Sequence, residues 1–98
     1  MEKGGYVYIL ASQKHGTLYT GVTSDLIKRI YEHKSKNTKG FTSQHNVNML
    51  VWFESFPSIE QAIAQEKRIK AWKRDWKIAL IEKENPEWLD FYQNLTER

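Results

Sequence analysis

Two short stretches decide the fold of this chain: YVYIL at residues 6–10 and LYTGV at residues 18–22. Both are rich in the aromatic and β-branched residues that favour strands. The residues between them, 12–17, predict a turn. The two stretches therefore predict a β-hairpin. With a loop of about four residues, Tyr8 and Tyr19 would lie opposite each other on one face of it.

The residues after the hairpin predict one helix and then a third strand. Ser24 is a good N-cap, because its hydroxyl can accept a hydrogen bond from a free N–H of the first helical turn. Residues 25–34 then carry apolar side chains at helical spacing. Residues 34–48 are polar and predict a loop, and residues 49–53 predict a strand.

The second half of the chain predicts helices. One opens at Ser58 and runs to about Trp72, since serine is a favourable first capping residue. Another begins near Arg74 or Asp75 and ends by Asn85, because Pro86 disfavours helical geometry in the residue before it. Pro86 can itself open a short last helix.

The composition describes a single small domain. The chain has 98 residues, 40% of them hydrophobic, and it has no cysteine for a disulfide or a thiolate metal site. We predict one domain over residues 1–98 of the α+β class. Helices flank a small, mostly antiparallel three-stranded sheet in the order β-β-α-β-α-α, followed by a short helical tail. Without a signal-peptide pattern or a membrane-length apolar run, we expect a cytoplasmic protein.

Basic residues gather in two segments. Residues 28–39 hold five Lys or Arg and one Glu, and residues 67–77 hold six Lys or Arg and one Asp, in a chain of net charge +3. This clustering favours a polyanion partner, although most Lys-rich segments are only solvated helix faces. Trp72 and Trp76 are interpreted as core or helix-packing residues, with exposed base stacking as the alternative. The candidate nucleic-acid-binding residues are Lys28, Lys34, Lys70, Lys73 and Arg74.

Glu66 is the strongest single chemical signal. At helical spacing it shares one face with four apolar residues, Ile59, Ala62, Ile63 and Ile69. A carboxylate in such a stripe is costly to bury unless a metal ion or a basic partner compensates its charge. The alternatives are a structural ion pair, for example with Arg29, and a helix rotated so that Glu66 reaches solvent.

Four other residues complete a candidate site. Arg29 and His33 lie one turn apart on the first helix and border its apolar arc. With Tyr8, Tyr19 and Glu66 they supply phenols, a cation, an imidazole and a carboxylate, which suit the hydrolysis of a phosphodiester. Each also has a structural interpretation, because strand tyrosines usually pack, a lone histidine is more often structural and an arginine can snorkel.

The order and spacing of these residues resemble the GIY-YIG nuclease superfamily, in particular its small stand-alone bacterial members of the URI-domain group. Residues 6–8 stand where the family has Gly-Ile-Tyr, and residues 19–21 stand where it has Tyr-Ile-Gly. Residues 21–33 resemble the segment with the catalytic arginine, residues 62–70 the metal-binding helix, and residues 85–88 the end of the small-protein subgroup. The resemblance covers nearly the whole chain.

The resemblance implies a metal-dependent endonuclease that hydrolyses nucleic acid with a tyrosine-activated water. DNA is the first expectation, and RNA stays open. Tyr19 would be the general base or would orient the attacking water, with Tyr8 in support. Arg29 would hold the scissile phosphate, His33 would help to move the proton, and Glu66 would bind Mg²⁺ or Mn²⁺.

The chain departs from the family pattern at several positions. Tyr6 replaces the glycine of the first motif and Thr20 the isoleucine of the second, and neither change removes a catalytic side chain. Val22 stands where some relatives carry a lysine. Asn85 is a loose counterpart of the family's late asparagine, at a longer interval from Glu66, and is assigned an auxiliary role.

Two functions without catalysis stay open beside the nuclease. One is a nucleic-acid-binding module that has lost its chemistry, and the other is a small interaction protein that uses its basic helix on an acidic partner. The complete set of site residues argues against lost chemistry. A plasmid-nicking assay with and without a chelator separates the three functions.

Overall fold

The computed structural model describes residues 4–35, 40 and 45–96. Its order, β-β-α-β-α-α with a short last helix, confirms the predicted α+β fold. None of the helices within the described ranges is long and apolar enough to cross a membrane. The elements are β1 (Gly5–Ala11), β2 (Leu18–Thr23), α1 (Leu26–Lys34), β3 (Met49–Phe56), α2 (Ile59–Ala71), α3 (Arg74–Glu84) and α4 (Tyr92–Thr96).

Strand β1 is the centre of the sheet, which has the order β2-β1-β3 and is antiparallel throughout. One face of β1 packs under α2 and α3 through residues such as Val7 and Ile9. The other face, with Tyr8 and Leu10, packs under α1 and α4. Because both faces are covered, β1 is apolar along almost its whole length rather than alternating with polar residues.

The hairpin register differs from the prediction by two residues. Tyr8 pairs with Gly21, and Tyr19 pairs with Leu10. The reason is a loop of six residues, 12–17, rather than about four. A shift of two residues preserves the face of every side chain, so Tyr8 and Tyr19 still share a face but lie diagonally.

Helix α1 begins one residue later than predicted. Its N-cap is Asp25 rather than Ser24, and the Asp25 carboxylate accepts a hydrogen bond from the Lys28 N–H at 3.3 Å. The Thr23 hydroxyl in turn accepts from the Asp25 N–H at 3.1 Å. The predicted cap of α2 is confirmed, since the Ser58 hydroxyl accepts from the N–H of the third helical residue.

The prediction that a helix begins at Pro86 is wrong, because residues 85–91 form a turn that the Asn85 side chain holds through hydrogen bonds. Its amide nitrogen donates to the Val51 carbonyl at 3.0 Å and to the Leu89 carbonyl at 2.9 Å. Its oxygen accepts from the Leu89 N–H at 2.9 Å. Trp88 adopts a left-handed conformation, with φ +58°, which is incompatible with a helix. We call residues 85–91 the Asn85 turn.

Candidate active site

The candidate active site centres on a buried hydrogen bond between two predicted site residues. The Tyr8 hydroxyl lies 3.1 Å from His33 Nε2. Tyr8 comes from the middle of β1 and His33 from the last turn of α1, so the bond ties the sheet to the helix above it. The two residues are only 1% and 3% exposed.

Tyr19 adds a third ring to this pair. Its centroid lies 6.4 Å from that of Tyr8 and 5.7 Å from that of His33. Within the described ranges nothing bonds to the Tyr19 hydroxyl, and no buried polar side-chain atom there lacks a partner. The hydroxyl therefore reaches solvent. We call Tyr8, Tyr19 and His33 the tyrosine cluster.

Burial keeps the Tyr8–His33 pair uncharged at neutral pH. It raises the pKa of Tyr8 to about 12, with the charges of Tyr19 and Glu66 adding to the effect and the Arg29 guanidinium opposing it. Burial also lowers the pKa of His33 to about 4, and the charge of Arg29 adds to that effect. The neutral phenol can donate to a neutral imidazole. Tyr8 is therefore poorly suited to act as a base.

Arg29 supplies a fixed cation at the edge of the cluster. Its guanidinium interacts with the Tyr8 hydroxyl, and its Nη1 lies 3.2 Å from Glu32 Oε1 on the same helix. An arginine keeps its charge in proteins, and its planar fork suits a phosphate. About a third of the Arg29 side chain is exposed, so it is accessible from solvent.

Glu66 lies in the apolar stripe of α2, as predicted, between the buried residues Ala62 and Ile69. Only 8% of Glu66 is exposed. Its ion-pair partner is Lys70, at 2.7 Å from Oε2, rather than Arg29 as one sequence-based alternative proposed. Lys70 lies one helical turn further on and compensates the buried carboxylate. The hydrogen bond to Glu66 raises the pKa of Lys70.

The donors around Glu66 suit a hydrated hard cation. Within the described ranges, no three His, Cys, Asp or Glu side chains come together as a metal site. Glu66 is one of two carboxylates near the cluster, the other being Glu32 beside Arg29, and within the described ranges Glu66 Oε1 has no bonding partner. Since no buried polar side-chain atom of these ranges is unpaired, Oε1 reaches solvent. Mg²⁺ fits such a site because it keeps several of its waters.

The candidate nucleic-acid-binding residues fall into two groups. Lys28 and Lys73 are exposed, and within the described part of the chain neither forms an ion pair. Lys34 is instead bonded to Asp90 and covers the ring of Tyr92. It ties α1 to the C-terminal part of the chain.

The remaining two candidates also have partners. Lys70 is paired with Glu66. Arg74 donates through Nη2 to the backbone carbonyls of His15 and Gly16, at 2.7 and 2.6 Å, and so holds the β1–β2 loop against α3. The other lysines of the first basic segment, Lys36 and Lys39, lie outside the described residues.

Two further predictions meet the structure differently. The side-chain hydrogen bonds of Asn85 all go to Val51 and Leu89, so its auxiliary role in catalysis stays a prediction. The interpretation of Trp76 as a packing residue is wrong, because its side chain is 57% exposed.

Sequence reasoning missed two residues that shape the site. A Cβ at Gly21 would lie 2.4 Å from the Tyr8 hydroxyl, so the second motif needs a glycine to make room for the first. A glycine inside a strand is the signal of such a close approach. Lys70, the partner of Glu66, was assigned only to nucleic-acid binding, although its spacing of four residues from Glu66 predicts an ion pair.

Comparison with known proteins places this geometry in a family. A family model described as the GIY-YIG catalytic domain matches residues 4–79. A UPF0213 protein of Bacillus pumilus is 34% identical over 82 residues, which are 84% of each chain. A UPF0213 protein of Syntrophus aciditrophicus is 40% identical over 83 residues, which are 84% of this chain and 93% of the relative.

A solved structure agrees with these relatives. The solution NMR structure of the UPF0213 protein BH0048 from Bacillus halodurans has a TM-score of 0.54 and 34% sequence identity to this chain. The match covers 95% of this chain and 94% of that one. The family match includes the tyrosine cluster, Arg29 and Glu66, and the chain belongs to the GIY-YIG family, a family of nucleases.

Proposed function

We propose that the protein is a metal-dependent endonuclease that hydrolyses phosphodiester bonds in nucleic acid, with DNA as the first substrate to test. The observation that carries the proposal is the tyrosine cluster with Arg29 beside it. An accessible phenol, a neutral imidazole and a fixed cation come together from β1, β2 and α1.

The two phenols take different parts in the proposed reaction. Tyr19 has the accessible hydroxyl, so it either takes a proton from the attacking water or orients that water. A phenol accepts a proton only as its phenolate, a form that nearby cations favour. Tyr8 stays protonated, and its bond to His33 fixes the position of the imidazole. Because burial lowers the pKa of His33 to about 4, its imidazole stays neutral and contributes as a hydrogen-bonding partner that relays a proton rather than one that holds it.

The charged residues bind and polarise the phosphate. Arg29 holds two phosphate oxygens with its planar fork and stabilises negative charge as it develops. Mg²⁺ or Mn²⁺, when bound, supplies Lewis-acid stabilisation of the phosphate and the leaving oxygen. Glu66 would be the residue that holds the ion, since Lys70 pairs with only one of its oxygens, Oε2.

A plasmid-nicking assay tests this function. The parent protein should nick supercoiled DNA with Mg²⁺ or Mn²⁺ and should lose the activity in excess chelator. Glu66→Gln keeps the shape of the side chain and removes its charge, so it should be inactive while its circular dichroism stays that of the parent. Glu60→Gln, an exposed position in the first turn of the same helix, is the matched control and should stay active.

Each other outcome points to a different function. Full activity of Glu66→Gln would contradict the metal assignment. A parent protein that binds oligonucleotides but cuts neither DNA nor RNA would be a binding module. A parent protein that does neither would be an interaction protein.

A further inference from the structure

An exposed aromatic face on α3 lies outside the tyrosine cluster. The Trp76 ring meets the Trp72 ring edge to face, with centroids 6.1 Å apart and an interplanar angle of 74°. Both rings line an open groove of about 460 Å³. Trp76 is 57% exposed, although large aromatic side chains are normally buried. Exposed apolar patches of this kind often mark a binding site for another molecule. We call this groove the Trp76 face; it is lined by Trp72, Trp76, Ala79, Leu80 and Lys83.

The charge around the Trp76 face is positive. At 100° per residue, Lys83 lies roughly 20° and Lys73 roughly 60° around the helix from Trp76. The acidic residues Asp75 and Glu84 lie further round, at roughly 100° and 80°. Lys73 and Lys83 are exposed, so both cations can reach a polyanion beside the rings.

We propose that the Trp76 face is a stacking platform for unpaired bases of a nucleic acid strand. An indole ring stacks on any base, and flanking lysines bind the adjacent phosphates, which together make a sequence-tolerant site for single strands. A base inside a duplex is already stacked and paired, so it cannot cover the ring without unpairing. The platform therefore selects single-stranded segments.

The position of the Trp76 face connects it to the candidate active site. Helix α2 carries Glu66 and Lys70, ends at Ala71, and is followed directly by Trp72. From Glu66 to Trp72 the chain rises about 9 Å along the helix. This inference rests on the proposed function for its ligand class, and it specifies the substrate as nucleic acid with a single-stranded segment next to the cut.

Fluorescence anisotropy tests the platform directly. The probes are a labelled 20-nucleotide single strand and a duplex of the same sequence, titrated with the full chain in excess chelator so that nothing is cut. Trp76→Ala should weaken single-strand binding roughly 5- to 100-fold and duplex binding less than twofold, since stacking energy is lost only where bases are unpaired. Trp76→Phe, which keeps an aromatic ring, should retain most of the affinity.

Leu89→Ala is the matched control, because Leu89 is apolar and 58% exposed but belongs to the Asn85 turn. It should leave both affinities unchanged. Equal single-strand affinity of Trp76→Ala and the parent would overturn the proposal. So would a parent dimer that Trp76→Ala converts to a monomer in sedimentation, because the face would then bind a second copy of the chain.

Parallel plasmid nicking keeps this result separate from the nuclease proposal. Nicking by the parent, with single-strand affinity unaffected by Trp76→Ala, rejects the platform and keeps the nuclease. A loss of single-strand affinity in Trp76→Ala, without nicking by the parent, keeps the platform and rejects the nuclease.

Discussion

The tyrosine cluster and the Asn85 turn are both built on buried polar side chains. They differ in whether a hydrogen-bonding group is left unpaired and accessible to solvent. Tyr8, His33 and Asn85 are all 3% exposed or less. Asn85 uses both ends of its amide on backbone groups of Val51 and Leu89. The tyrosine cluster instead has an accessible hydroxyl on Tyr19 and a buried pair with shifted pKa values. Burial alone therefore does not distinguish the two sites, and the accessible Tyr19 hydroxyl is the difference on which the proposed function rests.

The largest expected effect separates the two phenols of the tyrosine cluster. Tyr19→Phe removes an unbonded hydroxyl, so it should slow nicking by about 10²- to 10⁴-fold without changing the melting temperature. Tyr8→Phe should slow nicking less, and it should also destabilise the fold by about 1–2 kcal/mol because the buried hydrogen bond between the phenol and His33 is lost. Nicking rates and thermal unfolding of both variants measure this. A Tyr19→Phe variant with the parental rate would reduce Tyr19 to a packing residue.

The Asn85 turn should respond in the opposite way. Asn85→Ala removes three hydrogen bonds and leaves buried backbone groups unpaired, so it should lower the free energy of unfolding by about 3 kcal/mol. Nicking per folded molecule should not change. Urea unfolding and nicking on the same sample measure both, with Asn94→Ala, an exposed asparagine of α4, as the control within about 0.5 kcal/mol. A loss of nicking by folded Asn85→Ala would support the predicted auxiliary role.

Acid should weaken the tyrosine cluster through His33. The unfolded chain binds a proton below its ordinary pKa of 6.5, whereas the folded chain resists protonation until about pH 4. The contribution of neutral, buried His33 to the free energy of unfolding is therefore present above pH 6.5. It falls as the pH drops from 6.5 towards 4, and about 2 kcal/mol is lost at pH 5. Urea unfolding at pH 7.5 and pH 5 measures the difference. His33→Gln, which takes up no proton at this position, should lose most of the pH dependence, and the full parental dependence in that variant would assign the effect elsewhere.

The smallest expected effect concerns the exposed cations. Lys28→Gln and Lys73→Gln should each flatten the plot of log affinity against log salt concentration by up to about 0.9 in slope. Binding releases fewer counterions from the nucleic acid when a phosphate contact is lost. Arg74→Gln should instead lower the melting temperature, since Arg74 holds the β1–β2 loop. Anisotropy titrations at several salt concentrations measure the slope. Unchanged slopes in both lysine variants would mean that these residues are only solvated.

Local sequence patterns predicted the elements well and the connections less well. Strands β1 and β2 and helices α2 and α3 lie close to their predicted bounds because strand composition, the Ser58 cap and Pro86 act over short distances. The hairpin register failed because it assumed a loop of about four residues, whereas the predicted turn, residues 12–17, has six, as the structure does. The helix at Pro86 failed because the Asn85 side chain reaches Val51, which is distant in sequence.

The candidate site was predictable in its members and not in its contacts. Helical spacing placed Glu66 in the apolar stripe, and the structure agrees. The bond between Tyr8 and His33 joins residues 25 positions apart, which spacing within one helix or strand cannot reveal. The exposure of Trp76 was missed for a similar reason, since a periodic pattern does not say whether a neighbouring element covers a given face.

The close contact between Gly21 and Tyr8 makes the residue tolerated in the second motif, residues 19–21, depend on the residue present in the first, residues 6–8. The phenol occupies the space that any side chain at position 21 would need, with a Cβ only 2.5 Å from the ring carbon that bears the hydroxyl. A mutation at either position therefore alters which residues are acceptable at the other. A side chain at position 21 needs a residue smaller than tyrosine at position 8, and a variant library that randomises position 21 alone samples almost none of the sequences in which this corner of the sheet still closes.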